Sequence, residues 1–183
     1  MTVCYFYQLK DNRPCLVVGT ATGVDPHNPS RSAHGKCYIK TYLYDESYNL
    51  QLIHVTPLEG VPSAMYPFEG RLLVALRGSP TVAPVLRIYE LGKKRLLKKC
   101  EYKFLPESGG IMWLDVNKDR IFAADSRDSI MVLRWRYSDN QMQVISDDTY
   151  PRCITAAAVL DYNTIVVGDK FDNIAILRVP SDA

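Results

Sequence analysis

The segment Asp147-Asp148-Thr149-Tyr150-Pro151-Arg152 places two carboxylates, a phenol and a guanidinium in one short stretch. Paired carboxylates can divide general acid and base work, or hold a cation. Adjacent residues point to opposite sides of an extended backbone, however, so Asp147 and Asp148 are poorly placed to share a proton or a metal. Two uses remain open: a recognition surface, or a connector in which Arg152 pairs with a nearby acid. Asp125 and Asp169 stand 44 residues apart, each closing a short apolar run. An aspartate there accepts hydrogen bonds from turn amides and fixes a tight connection; its recurrence suits a residue that keeps a fold better than a catalytic pair. Lys93-Lys94-Arg95, followed by Lys98-Lys99, is the densest basic run and could touch phosphate or serve as an import signal. It leads into a run that reads as an outer strand, where lysines discourage edge pairing, and the solvated edge is the preferred reading.

Other chemistry finds little material. His27, His34 and His54 have no partner at metal-ligand spacing, and the five cysteines form no Cys-x-x-Cys pair or regular framework. There is no Gly-rich phosphate loop, nucleophile elbow or His-bearing triad. No catalytic residue, cofactor, metal or small-molecule substrate is expected.

The elements that position these residues repeat. Leu50-Gln51-Leu52-Ile53, Leu96-Leu97-Lys98-Lys99 and Met142-Gln143-Val144-Ile145 begin at 50, 96 and 142, a step of 46 each time. That length fits one four-stranded propeller blade. Short apolar runs at Leu16–Gly19, Leu72–Ala75, Ile121–Ala124 and Ile165–Gly168 keep the same beat and read as buried strands. Each is followed by an alternating run, at Ile39–Tyr42, Leu86–Tyr89, Met131–Arg134 and Ala175–Arg178, with the period of a half-buried strand. A β-sandwich also gives evenly spaced short strands, but it has no reason to repeat its fourth strand at a fixed step. The expected fold is all-β: a partial β-propeller of a little under four blades of four antiparallel strands, WD40-like without WD signatures.

The blades are expected at about 2–58, 61–104, 109–146 and 152–179 of a single domain spanning 1–183, with the last one strand short. Such an arc would be marginal alone, because an unfilled blade leaves backbone donors and acceptors unpaired. The expectation is a part of a larger propeller, either a fragment or the product of a truncated gene model. Val24–Lys36 and Gly78–Pro84 interrupt the repeat as polar or Pro-bearing loops. Charge is nearly balanced, 22 Lys plus Arg against 20 Asp plus Glu, which gives no strong pull toward nucleic acid or an acidic membrane. No run approaches the roughly 20 apolar residues of a membrane helix, and no membrane partner is expected.

Several phrases carry a resemblance. Pro67-Phe68-Glu69-Gly70-Arg71-Leu72-Leu73, the run Leu86–Glu101, Asp147–Arg152, Leu160–Thr164 and Gly168–Ile174 resemble the family of the large triple-propeller subunit, subunit 3, of the splicing factor 3b complex, in its C-terminal region. The same domain recurs in the large subunits of the damage-specific DNA-binding complex and of the cleavage and polyadenylation specificity factor. The resemblance implies a non-enzymatic scaffold of the spliceosome, within the U2 small nuclear ribonucleoprotein and the nucleus. Its implied partners are the helical-repeat subunit and a small companion subunit, with RNA touched indirectly or weakly. Asp172 departs from the family by standing where a turn glycine is usual, and Ser79–Pro84 lengthens a connection that is normally tight. Within this reading the partner-facing residues are Asp147, Asp148, Tyr150, Arg152, Lys170 and Asp172, with Lys93, Lys94 and Arg95 as possible phosphate contacts. The alternatives are an adaptor of the damage-binding or polyadenylation type and, from another class, a propeller hydrolase or lyase. The latter has only Ser63-Ala64-Met65, Ile111-Met112-Trp113 and Ile154-Thr155-Ala156 to work with on its innermost strands.

Overall fold

A computed structural model of the chain describes residues 2–8, 14–23, 35–78, 82–104 and 110–180, with side chains from position 15 onward. The expected loops at 24–34 and 79–81 lie outside the described residues. Strands β1 (Thr2–Gln8), β2 (Pro14–Ala21), β3 (Cys37–Tyr44) and β4 (Leu50–Leu58) form the first antiparallel sheet, in chain order. The second holds β5 (Val61–Phe68), β6 (Arg71–Arg77), β7 (Val85–Leu91) and β8 (Leu96–Lys103). The third holds β9 (Ile111–Asn117), β10 (Arg120–Asp125), β11 (Ser129–Arg136) and β12 (Gln141–Asp147). In the last, β13 (Ile154–Val159), β14 (Thr164–Asp169) and β15 (Ile174–Arg178) pair in the same order. The first strands of successive sheets lie side by side, β1 against β5, β5 against β9 and β9 against β13. Four meanders joined along their first strands make an arc of a β-propeller, as the 46-residue step predicts.

The core lies in the seams between blades, and the pleat explains how one strand serves two of them. In β6, Leu73 and Ala75 enter the seam with the third blade, while Leu72, Val74 and Leu76 enter the seam with the first. In β10, Ile121 and Ala123 face the second blade, and Phe122 and Ala124 the fourth. The third strands differ from expectation here. Half-burial with alternation holds for β3 and β15, but Val85–Tyr89 of β7 are all buried and β11 is nearly so. A strand in a middle blade is covered on both faces, so its polar residues must be satisfied rather than solvated. Arg87 shows how: its guanidinium donates to Glu101 on β8 and to Glu59 in the link from the first blade, each at 2.6 Å. Burial disfavours the Arg87 cation, but hydrogen bonds to Glu59, Tyr89 and Glu101 outweigh it and hold the pKa above the ordinary value.

Polar ties cross every seam. A ring nitrogen of His54 lies 3.1 Å from the Lys93 carbonyl, and the Leu96 amide donates to the Thr56 hydroxyl, fastening β4 to the β7–β8 turn. The Ser63 hydroxyl donates to the Ile111 carbonyl at 2.6 Å. At the outer edge, Asn140 accepts from the Trp135 indole and donates to the Lys99 carbonyl.

Candidate interaction surface

Alternation of antiparallel strands sends the second-to-third turns and the links between blades to one end of the arc. The link Asp148–Cys153 and the turn Lys170–Asn173 therefore lie together. The structure joins them directly: the Lys170 amide donates to the Cys153 carbonyl at 3.0 Å.

Asp148 organises the link. Its carboxylate accepts from the Ser129 hydroxyl at 2.6 Å, from Arg152 Nε at 3.0 Å and from the Tyr150 amide at 3.2 Å, while its own amide donates to the Ile130 carbonyl. Partial burial pushes the Asp148 pKa up, but the hydrogen bonds from Ser129, Arg152 and Tyr150 outweigh it and hold the carboxyl below its usual value. The guanidinium so fixed lies 4.6 Å from the centre of the Tyr150 ring. Arg152 thus pairs with a nearby acid, as the connector reading requires, and it also holds Tyr150 outward, 62% exposed.

The neighbouring turn is built the same way. Asp169 Oδ1 accepts from the amides of Phe171 and Asn173, and Asp125 Oδ1 from those of Arg127 and Asp128, so both repeated aspartates are turn keepers. Hydrogen bonding from the Asn173 side chain is the largest cause of the lowered Asp169 pKa, and the Arg152 charge contributes, which ties turn to link electrostatically. Lys170 Nζ lies 5.0 Å from the centre of the Phe171 ring, itself 63% exposed. Two open aromatic faces, each beside a cation, sit on a scaffold of turn hydrogen bonds. Such rings lose little conformational freedom on binding and suit a protein interface.

Asp172 occupies the left-handed region at φ 63°, a conformation that favours glycine. Asp172→Gly is expected to raise stability by about 0.5–1 kcal/mol, measured by urea unfolding. Asp147 closes β12, beside Asp148, and has no ion pair among the described residues. Some burial, then the charges of Asp148 and Asp128, push its pKa up.

Lys93, Lys94 and Arg95 belong elsewhere. They form the exposed β7–β8 turn, at the opposite end of the arc from the Asp148 link, and no carboxylate pairs with them among the described residues. Lys98 and Lys99 are engaged, by Glu101 and Glu90. On the innermost strands the Ser63 hydroxyl ties two blades, the exposed Thr155 hydroxyl donates to the Gly168 carbonyl, Asp115 accepts from the Val116 amide, and the Met112 sulfur lies 3.1 Å from a guanidinium nitrogen of Arg77. No group of three His, Cys, Asp or Glu suited to a metal occurs among the described residues.

Sequence reading missed the clasp between the third and fourth blades. Arg120, almost fully buried, donates to the Tyr162 carbonyl and to Asn163, with its guanidinium carbon 4.1 Å from the centre of the Tyr162 ring. The Tyr162 hydroxyl in turn donates to Asp119 at 2.8 Å. The partners are more than forty residues apart, and only the corresponding arginine Arg71, stacked 4.8 Å from Trp135 of the next blade, hints at a pattern.

Comparison with known proteins places this architecture. Spliceosome-associated protein 130 A of Arabidopsis thaliana is 37% identical over 94% of the chain, which covers 14% of that protein. Splicing factor 3B subunit 3 of Danio rerio is 42% identical over 80% of the chain and 11% of its own length. For pre-mRNA-splicing factor prp12 of Schizosaccharomyces pombe the identity is 38%, over 90% of the chain and 13% of the relative. The chain thus spans only about one-seventh or less of the length of these relatives. The family model described as the CPSF A subunit region matches residues 1–183, and the chain belongs to that family.

Proposed function

We propose that this chain is a non-enzymatic protein-interaction scaffold of pre-mRNA splicing, acting in the nucleus within the U2 small nuclear ribonucleoprotein. The observation that carries this reading is the similarity, across nearly the whole chain, to relatives named as splicing factors. The partners in this reading are the helical-repeat subunit and the small companion subunit of the splicing factor 3b complex. They meet the arc at the end that carries Asp147, Asp148, Tyr150, Arg152, Lys170 and Asp172. Asp148 positions the others, while Tyr150 and Phe171 supply the apolar contact. Affinity capture from nuclear extract after ribonuclease treatment is expected to recover splicing factor 3b subunits. Recovery of cullin-type ubiquitin ligase components would instead favour the damage-binding adaptor.

One observation favours a second, weaker contact. The exposed turn Lys93-Lys94-Arg95 carries three cations without carboxylate partners among the described residues, which suits phosphate. Neutralising all three should reduce the salt-dependent binding of single-stranded RNA; unchanged binding removes the motive for this contact.

A further inference from the structure

Arg71 and Arg120 open the second strands of neighbouring blades, β6 and β10, and each lays its guanidinium on a ring of the next blade. Arg71 lies 4.8 Å from the centre of Trp135, and Arg120 lies 4.1 Å from that of Tyr162. Only Arg120 finds acceptors there, the Tyr162 carbonyl and the Asn163 side chain. Arg71 donates one long hydrogen bond, 3.4 Å, to the Glu69 carbonyl of its own turn, and has no ion pair among the described residues. The turns explain the difference. Lys118 and Asp119 precede β10 where Tyr162 and Asn163 precede β14, and Asp119 is already engaged by Arg134 at 2.9 Å and by the Tyr162 hydroxyl at 2.8 Å. The second and third blades both hold four strands, so this seam is complete.

The guanidinium of Arg71 sits on a fixed platform. Trp135 is almost fully buried, edge-on to Phe68 at 5.5 Å, and its indole donates to Asn140, itself tied to the Lys99 carbonyl. Tyr137, just past the end of β11, lies tilted 4.1 Å from Trp135 and 5.9 Å from Arg71, and is 58% exposed. A planar fork held on one ring, beside a second and open ring, has given up much of its freedom before any ligand arrives. The fork fits a planar acceptor with two oxygens, and the open ring fits an apolar face. The surrounding charges choose the source. Glu69 and Asp139 stand exposed in the same two turns, the second paired with Arg136 at 2.6 Å. A nucleic-acid strand brings a charge with every phosphate and meets those carboxylates, whereas a polypeptide can set a single carboxylate on Arg71 and neutral residues beside Glu69.

We propose that Arg71, Trp135 and Tyr137 form a docking site for a segment of a partner protein, with an Asp or Glu side chain on the Arg71 guanidinium and an adjacent aromatic side chain on the Tyr137 ring. The charge-assisted pair fixes the register of the segment and the ring contact adds buried area. The site lies at the opposite end of the arc from Tyr150 and Phe171, and it stands whether or not the splicing reading does.

The test uses chain 1–183 and short labelled peptides, capped at both ends, with binding read by fluorescence anisotropy. In the first a central glutamate-phenylalanine pair lies among serine and glycine; in the second glutamine replaces the glutamate; in the third phosphoserine replaces it. A short oligonucleotide is the last probe. The glutamate peptide is expected to bind, and the glutamine peptide about ten-fold less tightly, the scale of one charge-assisted pair. Binding of the glutamate peptide should weaken about five-fold in Tyr137→Ser, whose exposed site tolerates the change. Arg71→Lys keeps the cation but not the fork, and should weaken it further. No binding of the glutamate peptide, equal binding of the glutamate and glutamine peptides, or unchanged binding in either variant would overturn the proposal. Tighter binding of the phosphoserine peptide would do the same, as would a Tyr137→Ser variant that loses the oligonucleotide rather than the peptide. A concentration-dependent dimer of the chain that Tyr137→Ser abolishes would also overturn it, because the occupant would then be a second copy.

Discussion

Replacing Arg120 by alanine is expected to lower the unfolding free energy by about 3 kcal/mol, in the range seen when a buried, hydrogen-bonded charge is removed from its partners. The residue is almost fully buried at the start of β10, where it donates to Tyr162 and Asn163 and packs its guanidinium on the Tyr162 ring. Its loss leaves the Tyr162 carbonyl and the Asn163 side chain without that donor, and a void under the ring. Arg120→Lys keeps the charge but loses the planar face, and should recover less than half of the loss. Tyr162→Phe removes only the hydrogen bond to Asp119 and should cost about 1 kcal/mol. Urea unfolding, read from the slope-corrected midpoint, separates the three. A cost below about 1 kcal/mol for Arg120→Ala would mean that the apolar seam around Phe122, Ile154 and Ile165 holds the fourth blade unaided.

The second large effect is at Asp148. Asp148→Ala removes the acceptor shared by Ser129, Arg152 and Tyr150 and is expected to cost about 2 kcal/mol near neutral pH. Its pKa is lowered in the fold, so its contribution is present above the ordinary carboxylate pKa and is lost as the pH falls through the folded value. Native and variant curves should converge in acid. Asp147 has the opposite sign. Its raised pKa means that the ionised form costs stability above the ordinary carboxylate range, and that the cost is relieved on acidification. Asp147→Asn should therefore stabilise the chain at neutral pH and not in acid. The link thus holds one carboxylate that the fold needs and one that it merely tolerates.

How much of this was legible depends on the range of the interaction. The strands follow from short apolar and alternating runs at a fixed step, which need no knowledge of tertiary contacts. Asp125 and Asp169 were readable as turn keepers because their acceptor role is completed within four residues. The pairing of Arg152 with Asp148 is equally local. Ser129, which holds Asp148 from nineteen residues away, left no local mark. Nor did the Arg120 clasp, or His54 beneath the Lys93 turn. The burial of β7 on both faces was not readable either: Leu86–Tyr89 alternates like a half-exposed strand, and only the neighbouring blades make Arg87 an interior residue. In the sequence the candidate surface is two separate segments, whereas its coherence comes from the Lys170–Cys153 hydrogen bond and the reach of Arg152 toward Asp169.

The most direct measurement is quantitative affinity capture from ribonuclease-treated nuclear extract, with the native chain and a Tyr150→Ser, Phe171→Ser variant side by side. Both rings are open to solvent, so the variant should fold and melt like the native chain. The account predicts splicing factor 3b subunits on the native chain and recovery about ten-fold lower on the variant, as loss of two aromatic anchors implies. Equal recovery by both chains, or cullin-type ligase components in place of splicing subunits, would contradict it.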